Sequence, residues 1–226
     1  MIPPRSVLLD LDGTLVDSLP GILASCQAAL RALGHEPDEA LDIRRAIGPP
    51  LEEIMQDLLR PYGDDRVDEA VVAYRRHYGE SGFLGSEPYP GIGRSLEEMK
   101  QAGLQIYLAT SKRVTFAGRI LDHLGFAALF DGIHGSVPDG TLDHKPELLA
   151  HVLSEHALSP PRSVMVGDRR HDIAGAHAVG VRGLGVLWGY GTREELETAG
   201  ADRLVDSSAD LAGTVLSMVD ESRSVS

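Results

Sequence analysis

The chain has 226 residues, 42% hydrophobic and 24% charged, with a formal net charge of −13. That balance fits a packed globular protein, one large domain or a core with a smaller insert, and excludes wholesale disorder. The acidity argues against nucleic-acid backbones and anionic membranes as partners, since both need a basic face, but not against a small phosphorylated substrate, which answers to a local pocket.

The chain opens with the apolar run Val7-Leu8-Leu9, which reads as a short strand covered on both faces. It ends in Asp10-Leu11-Asp12-Gly13. Residues two apart on a strand share a side, so both carboxylates project from its C-terminal end, and Gly13 turns the chain with amides exposed. Such a strand end can hold a metal ion and a phosphate; a solvated acidic turn would account equally well for D-x-D alone. Asp17 or Ser18 caps the next helix, Pro20 sits in its first turn, and Gly34 stops it. Leu19, Ile22, Leu23, Cys26, Leu30 and Leu33 recur at helical spacing along it. Cys26 is the only cysteine, reads as core, and leaves no intrachain disulfide to form, which suits a reducing compartment. Further helices are expected over 41–47, 50–59 and 65–78, with no strand pattern between Val16 and Leu84. This is an all-helical block inserted after the first strand.

From Pro88-Tyr89-Pro90-Gly91 onward the chain alternates. Helices are expected over 92–102, 114–124, 146–156, 169–179, 194–199 and 211–219, and strands over 104–109, 163–167, 183–187 and 204–205. A connecting segment passes through Phe126, Phe130 and Ile133. The fold class expected is α/β, a three-layer, Rossmann-like, doubly wound parallel sheet with ligands beyond the C-terminal strand ends. No apolar run approaches the ~20 residues of a membrane span, and residues 1–5 lead into the first strand without a signal-peptide pattern. The expectation is a soluble cytoplasmic protein, monomer or homodimer.

Three further stretches carry chemistry. Thr110-Ser111-Lys112 follows a strand, where a hydroxyl and free amides can bind phosphate oxygens or merely cap a helix. Lys145 precedes Pro146 at a helix start and could be a solvated surface lysine or a counter-charge for phosphate. Gly167-Asp168-Arg169-Arg170-His171-Asp172 places two carboxylates four apart on one helix face. With Asp10 and Asp12 they form a hard oxygen set suited to Mg²⁺ rather than zinc. His171 and His177 lack partners at metal-ligand spacing and read as surface or packing residues, as His144 reads as a bystander.

The string D-L-D-G-T-L-V-D-S resembles the first motif of the haloacid dehalogenase (HAD) superfamily, and the other three stretches match its second, third and fourth motifs in order. The resemblance implies a phosphohydrolase with a helical cap, core 1–16 and 88–226 and cap 17–87. It implies Asp10 as nucleophile, Asp12 as general acid/base, Thr110 or Ser111 as phosphate ligand and Lys145 as the cation serving both nucleophile and phosphate. It places Mg²⁺ on Asp10, the Asp12 main-chain carbonyl and Asp168, with Asp172 close by. Dehalogenases of the family lack the second acid, so Asp12 favours phosphate chemistry. Within the superfamily the chain is similar to the phosphoglycolate phosphatase-like branch. Ile47-Gly48-Pro49-Pro50-Leu51, the fourth motif and Gly185 to Gly191 look like its 5′-nucleotidase-like members. This implies cap contacts from Ile47 and Gly48, with Arg113 in reach of substrate. The substrate expected is a small phosphorylated metabolite, leaning to a 5′-nucleotide. Phosphoglycolate phosphatase, a β-phosphoglucomutase-like phosphoryl transfer, and a regulatory protein without turnover are the alternatives.

Overall fold

The computed structural model describes residues 4–38, 43 and 50–221. Strands β1 (Ser6–Leu9), β4 (Gln105–Arg113), β5 (Gly132–Ser136), β6 (Ser163–Gly167), β7 (Arg182–Val186) and β8 (Arg203–Val205) form a six-stranded sheet in the order β5-β4-β1-β6-β7-β8. Every pairing is parallel. The chain builds outward from β1 through β4 to β5, then returns to the other side of β1 and continues through β6 to β8. That reversal beside β1 opens a crevice at the C-terminal ends of β4, β1 and β6.

Helices cover both faces, and the strand residues alternate to match. Val7 and Leu9, Ile106 and Leu108, and Val164 and Val166 share one core with α4 (Ile92–Gln101), α5 (Val114–His123) and α9 (Leu211–Glu221). Leu8, Tyr107 and Met165 point to the other face, against α6 (Lys145–Glu155) and α7 (Arg170–Ala178). The short α8 (Arg193–Thr198) follows β7 and buries Leu196.

Between β1 and α4 lie α1 (Leu19–Ala32), α2 (Leu51–Leu59) and α3 (Val67–Glu80), which pack on one another through Cys26, Met55, Leu59, Tyr74 and Tyr78. Cys26 is fully buried, and burial pushes its thiol up to about 12. The chain leaves and re-enters the sheet region through an antiparallel ribbon of β2 (Val16–Asp17) and β3 (Glu87–Pro88). The helix expected over 41–47 lies, apart from the buried Ile43, outside the described residues. Among the described residues no helix is long and apolar enough to cross a membrane.

Three readings of the sequence change. The strand expected to stop at Ala109 runs on as β4 to Arg113, through an irregularity between Thr110 and Arg113 against β5. The apolar run ends at Ala109, but strand pairing continues beyond it. The segment after Phe130 contains an edge strand, β5, whose sequence Gly-Ile-His-Gly-Ser has none of the β-branched alternation that marks strands. Ser18 stands at the N-cap of α1 without capping through its side chain; its Oγ donates to Asp12 Oδ1 instead (2.6 Å), and Asp17 Oδ1 accepts from Leu19 N (3.1 Å).

Candidate active site

The four expected stretches converge at the crevice. Asp10 N donates to Val166 O (3.0 Å), so the first carboxylate is tied to the sheet where the chain leaves it. Gly13 then takes φ of 82°, and a Cβ there would lie 2.3 Å from Asp168 Oδ2. A side chain at this turn would meet both a conformational and a steric barrier.

Lys145 opens α6 and is 4% exposed. Its Nζ donates to Asp10 Oδ1 (2.9 Å), Ala109 O (2.8 Å) and Asp172 Oδ1 (2.8 Å). An ammonium has three N–H donors, and all three are used. Burial alone would lower its pKa; the carboxylates of Asp10 and Asp172 reverse that and hold it above the usual range. Asp172 is fixed from both oxygens, because Oδ2 accepts from Arg169 N (3.1 Å).

Asp168 is fully buried. Its Oδ2 accepts from Tyr190 N (2.7 Å), while Oδ1 has no hydrogen-bond partner among the described residues. An unpartnered buried carboxylate oxygen is costly unless something pairs with it. Asp10, Asp168 and Asp172 each bring an oxygen within 4.8 Å of the others. Burial, opposed by Lys145 and reinforced by Asp172 and Asp12, raises Asp10 to about 6. Burial, with the charges of Asp172 and Asp10, holds Asp168 well above the usual carboxylate range. Buried hard oxygens that resist ionising together, one of them orphaned, fit a divalent cation of the Mg²⁺ type.

The Asp12 carboxylate stands apart from this trio. Oδ1 accepts from Ser18 Oγ, and Oδ2 pairs with Lys112 Nζ at 2.5 Å. Lys112 also lies over the Tyr78 ring, 4.8 Å from its centroid. This contact follows from the irregularity in β4. Thr110 pairs with Gly135 and Arg113 with Ser136, so Ser111 and Lys112 have no counterparts on β5 and the strand bends. Gly135 makes the close approach possible, since a Cβ there would lie 2.4 Å from Lys112 O.

Thr110 is buried and Ser111 half-buried, and both line one pocket with Asp10, Asp12, Lys145 and Asp172. Arg113 lines it too, with Nη1 buried and without a hydrogen-bond partner among the described residues. Ile47 and Gly48 lie outside the described residues. Their neighbours Leu51, Glu52 and Ile54 from α2, and Tyr74, Arg75 and Tyr78 from α3, form the opposite wall. Arg75 donates to Glu52 across that wall (2.8 Å).

Sequence reasoning missed several of these residues. His171, read as surface or packing, lines the pocket half-buried, its Nε2 without a partner among the described residues, and burial and Arg170 lower its pKa. His177 pairs with Asp202 away from the pocket (2.9 Å), and His144 is exposed. Tyr190 braces the site: its hydroxyl accepts from Ser18 N (2.8 Å) and Leu19 N (3.0 Å) and donates to Asp17 Oδ1 (2.9 Å). Trp188 Nε1 in the same loop donates to Thr14 O (3.0 Å). The glycine- and aromatic-rich run 185–191 was the available signal for this brace. Lys112 gave none, because its contact depends on a bend that periodicity does not show.

A family model described as haloacid dehalogenase-like hydrolase matches residues 7–186. A 5′-nucleotidase of Pseudomonas aeruginosa is 40% identical over 193 residues, 84% of this chain and 86% of that one. The tyrosine-protein kinase PtkA of Mycobacterium tuberculosis is 40% identical over 195 residues, 86% of this chain; the match spans 66% of the kinase, just under two thirds of its length. The crystal structure of a predicted phosphatase from Clostridium acetobutylicum superposes with a TM-score of 0.87 at 32% identity, covering 95% of this chain and 99% of that one.

Proposed function

From the premise that this chain belongs to the haloacid dehalogenase-like hydrolases, we propose that it is a phosphomonoester hydrolase for small phosphorylated metabolites, with a preference for nucleoside 5′-monophosphates. The observation that carries the chemistry is the buried Lys145 ammonium shared by Asp10 and Asp172 beside the orphaned oxygen of Asp168. What supports the substrate class is the 5′-nucleotidase, 40% identical across most of both chains.

In this reading the Asp10 carboxylate attacks phosphorus in line, and the bond to the leaving alkoxide breaks. Asp12 gives that alkoxide its proton. Asp12 then takes a proton from water, whose oxygen attacks the aspartyl phosphate, releasing inorganic phosphate and restoring Asp10. Lys145 offsets the charge of Asp10 as a second anion approaches, and Thr110 and Ser111 hold phosphoryl oxygens. Asp10, Asp168 and the Asp12 main-chain carbonyl would hold Mg²⁺, which supplies charge neutralisation when bound. Lys112 acts as a positioning residue. Paired with Asp12 it holds that carboxylate aimed at the pocket, and an incoming phosphate competes for the ammonium and frees Oδ2 for the leaving oxygen. Block 17–87 closes over the pocket about the β2–β3 ribbon, excluding water.

The test is phosphate release with Mg²⁺ from 5′-nucleotides, phosphoglycolate, hexose phosphates and an aryl phosphate, with and without a sugar bisphosphate. Highest kcat/KM on nucleoside monophosphates is the expected result. Preference for phosphoglycolate would replace the substrate assignment, and turnover that needs the bisphosphate would replace hydrolysis with mutase chemistry. Transfer from ATP to a tyrosine-containing acceptor, with no phosphate released from any monoester, would move the chain toward the kinase relative.

A further inference from the structure

A second group of ligating side chains lies at the opposite end of α6 from Lys145. His134 on β5, His151 and Glu155 on α6, and His156 just beyond it face one another; the chain has nine histidines, and three are here. The Nε2 atoms of His134 and His156 are 2.9 Å apart. Glu155 reaches both rings, with Oε2 4.0 Å from His134 Nδ1 and Oε1 4.0 Å from His156 Nε2. His151 Nε2 is 2.8 Å from Glu155 Oε2, and its ring centroid is 5.8 Å from that of His134. The backbone leaves room where the two Nε2 atoms meet. A Cβ on Gly132 would lie 2.8 Å from His134 Nε2 and 3.1 Å from His156 Nε2. Tyr107 packs on the His156 ring with centroids 4.4 Å apart, which limits its rotation.

The chemistry differs from that of the active site. Imidazole nitrogen with one carboxylate is a donor set for Zn²⁺ and its borderline neighbours, whereas Mg²⁺ prefers oxygen. With metal–ligand lengths of about 2.0–2.1 Å, tetrahedral donors sit about 3.3 Å apart. The observed separations of 2.9 and 4.0 Å bracket that value, so small side-chain rotations suffice. Both rings can carry their proton on Nδ1 and leave Nε2 free to ligate. Burial, partly opposed by Glu155, lowers the pKa of His134 from the usual histidine value.

We propose that His134, His156 and Glu155, with His151 within reach as a fourth donor, form a binding site for Zn²⁺ or a similar borderline divalent ion, separate from the active site. A bound ion would pin edge strand β5 to the C-terminal end of α6.

The test is equilibrium dialysis of the full chain against Zn²⁺ with Mg²⁺ in excess, using wild type, His134→Gln/His156→Gln, Glu155→Gln and, as a control for the acidic site, Asp168→Asn. The expected result is one Zn²⁺ per chain in wild type and in Asp168→Asn. Affinity falls roughly tenfold or more in Glu155→Gln and uptake is lost in the double variant. In wild type, Zn²⁺ shifts the imidazole NMR signals of His134 and His156 and leaves those of His144 and His177 in place, a readout that needs no variant to fold. No Zn²⁺ uptake by wild type, uptake unchanged in the double variant, uptake lost in Asp168→Asn, or unshifted His134 and His156 signals would each overturn the site. None of these readouts uses turnover, so they stand apart from the hydrolase reading.

Discussion

Helix α6 carries a cluster of ligating groups at each end, and the two are built on opposite terms. At its first residue, Lys145 is buried with every N–H engaged, and its partners Asp10 and Asp172 are held in turn by the sheet and by the main chain of Arg169. At its last turn, Glu155 is half-exposed and the histidines depend on one another. Buried charge fixed by many partners leaves no slack, so a change there reaches the chemistry directly. A partly exposed rim of imidazole rings can adjust by rotation, so changes there reach stability and leave turnover alone.

The sharpest way to break this contrast is Asp10→Asn. The amide is nearly isosteric but is no nucleophile, and phosphate release should fall by about 10⁴-fold or more. The thermal midpoint should not drop, because burial and the neighbouring acids already disfavour ionised Asp10. Steady-state assay and a thermal melt on one preparation check both, and turnover near the wild-type rate would remove Asp10 from the nucleophile role.

Lys112→Met comes next. It keeps an unbranched side chain and removes the ammonium that pairs with Asp12 and lies over the Tyr78 ring. We expect kcat to fall about 10- to 100-fold with KM changed less. Lys112→Arg should restore part of kcat. Equal losses in both variants, or a loss carried mainly by KM, would reduce Lys112 to a packing residue.

Metal and pH sharpen the comparison further. Asp10 is raised to about 6 and Asp168 in the same direction. A carboxyl group whose folded pKa lies above its unfolded value of about 3.9 binds its proton more tightly when folded. Its contribution to stability is full below the unfolded pKa and is lost as pH rises through the folded one. In the metal-free protein this cluster therefore stabilises least above about pH 6. Mg²⁺ favours the ionised acids, so the rise in thermal midpoint on adding it should be larger near pH 8 than near pH 5, as calorimetry with and without EDTA would show. An equal rise at both would separate Mg²⁺ from these carboxylates.

How much was legible follows the same division. The sheet, its helices and the acids at the strand ends came through because each is local: Val7 to Leu9 and Val164 to Val166 are apolar runs, and the acids follow within a residue or two. Strand β5 and the bend at Ser111–Lys112 did not, because edge pairing and a two-residue irregularity leave no period in the chain. The Lys112–Asp12 pair and the unpartnered His171 were hidden with them. The histidine cluster was invisible for a further reason. His134 stands 17 positions before His151 in the sequence, and only the packing of α6 on β4 and β5 brings them together.

The smallest effect expected on catalysis is that of Zn²⁺ at the histidine end. Helix α6 has 11 residues, so at 1.5 Å per residue the two clusters lie roughly 16 Å apart along a stiff element. An ion there tightens β5 against α6 without moving Lys145, whose ammonium is already held by three acceptors. Binding only to the folded chain adds about 2.7 kcal/mol of stability at a hundredfold excess over Kd. For a chain of this size that raises the thermal midpoint by roughly 5–10 °C. With Mg²⁺ saturating, kcat should stay within about twofold of its zinc-free value while the midpoint rises, and neither should respond to Zn²⁺ in His134→Gln/His156→Gln. A fall in kcat that tracks zinc occupancy of the histidines would show that the two ends of α6 are coupled after all.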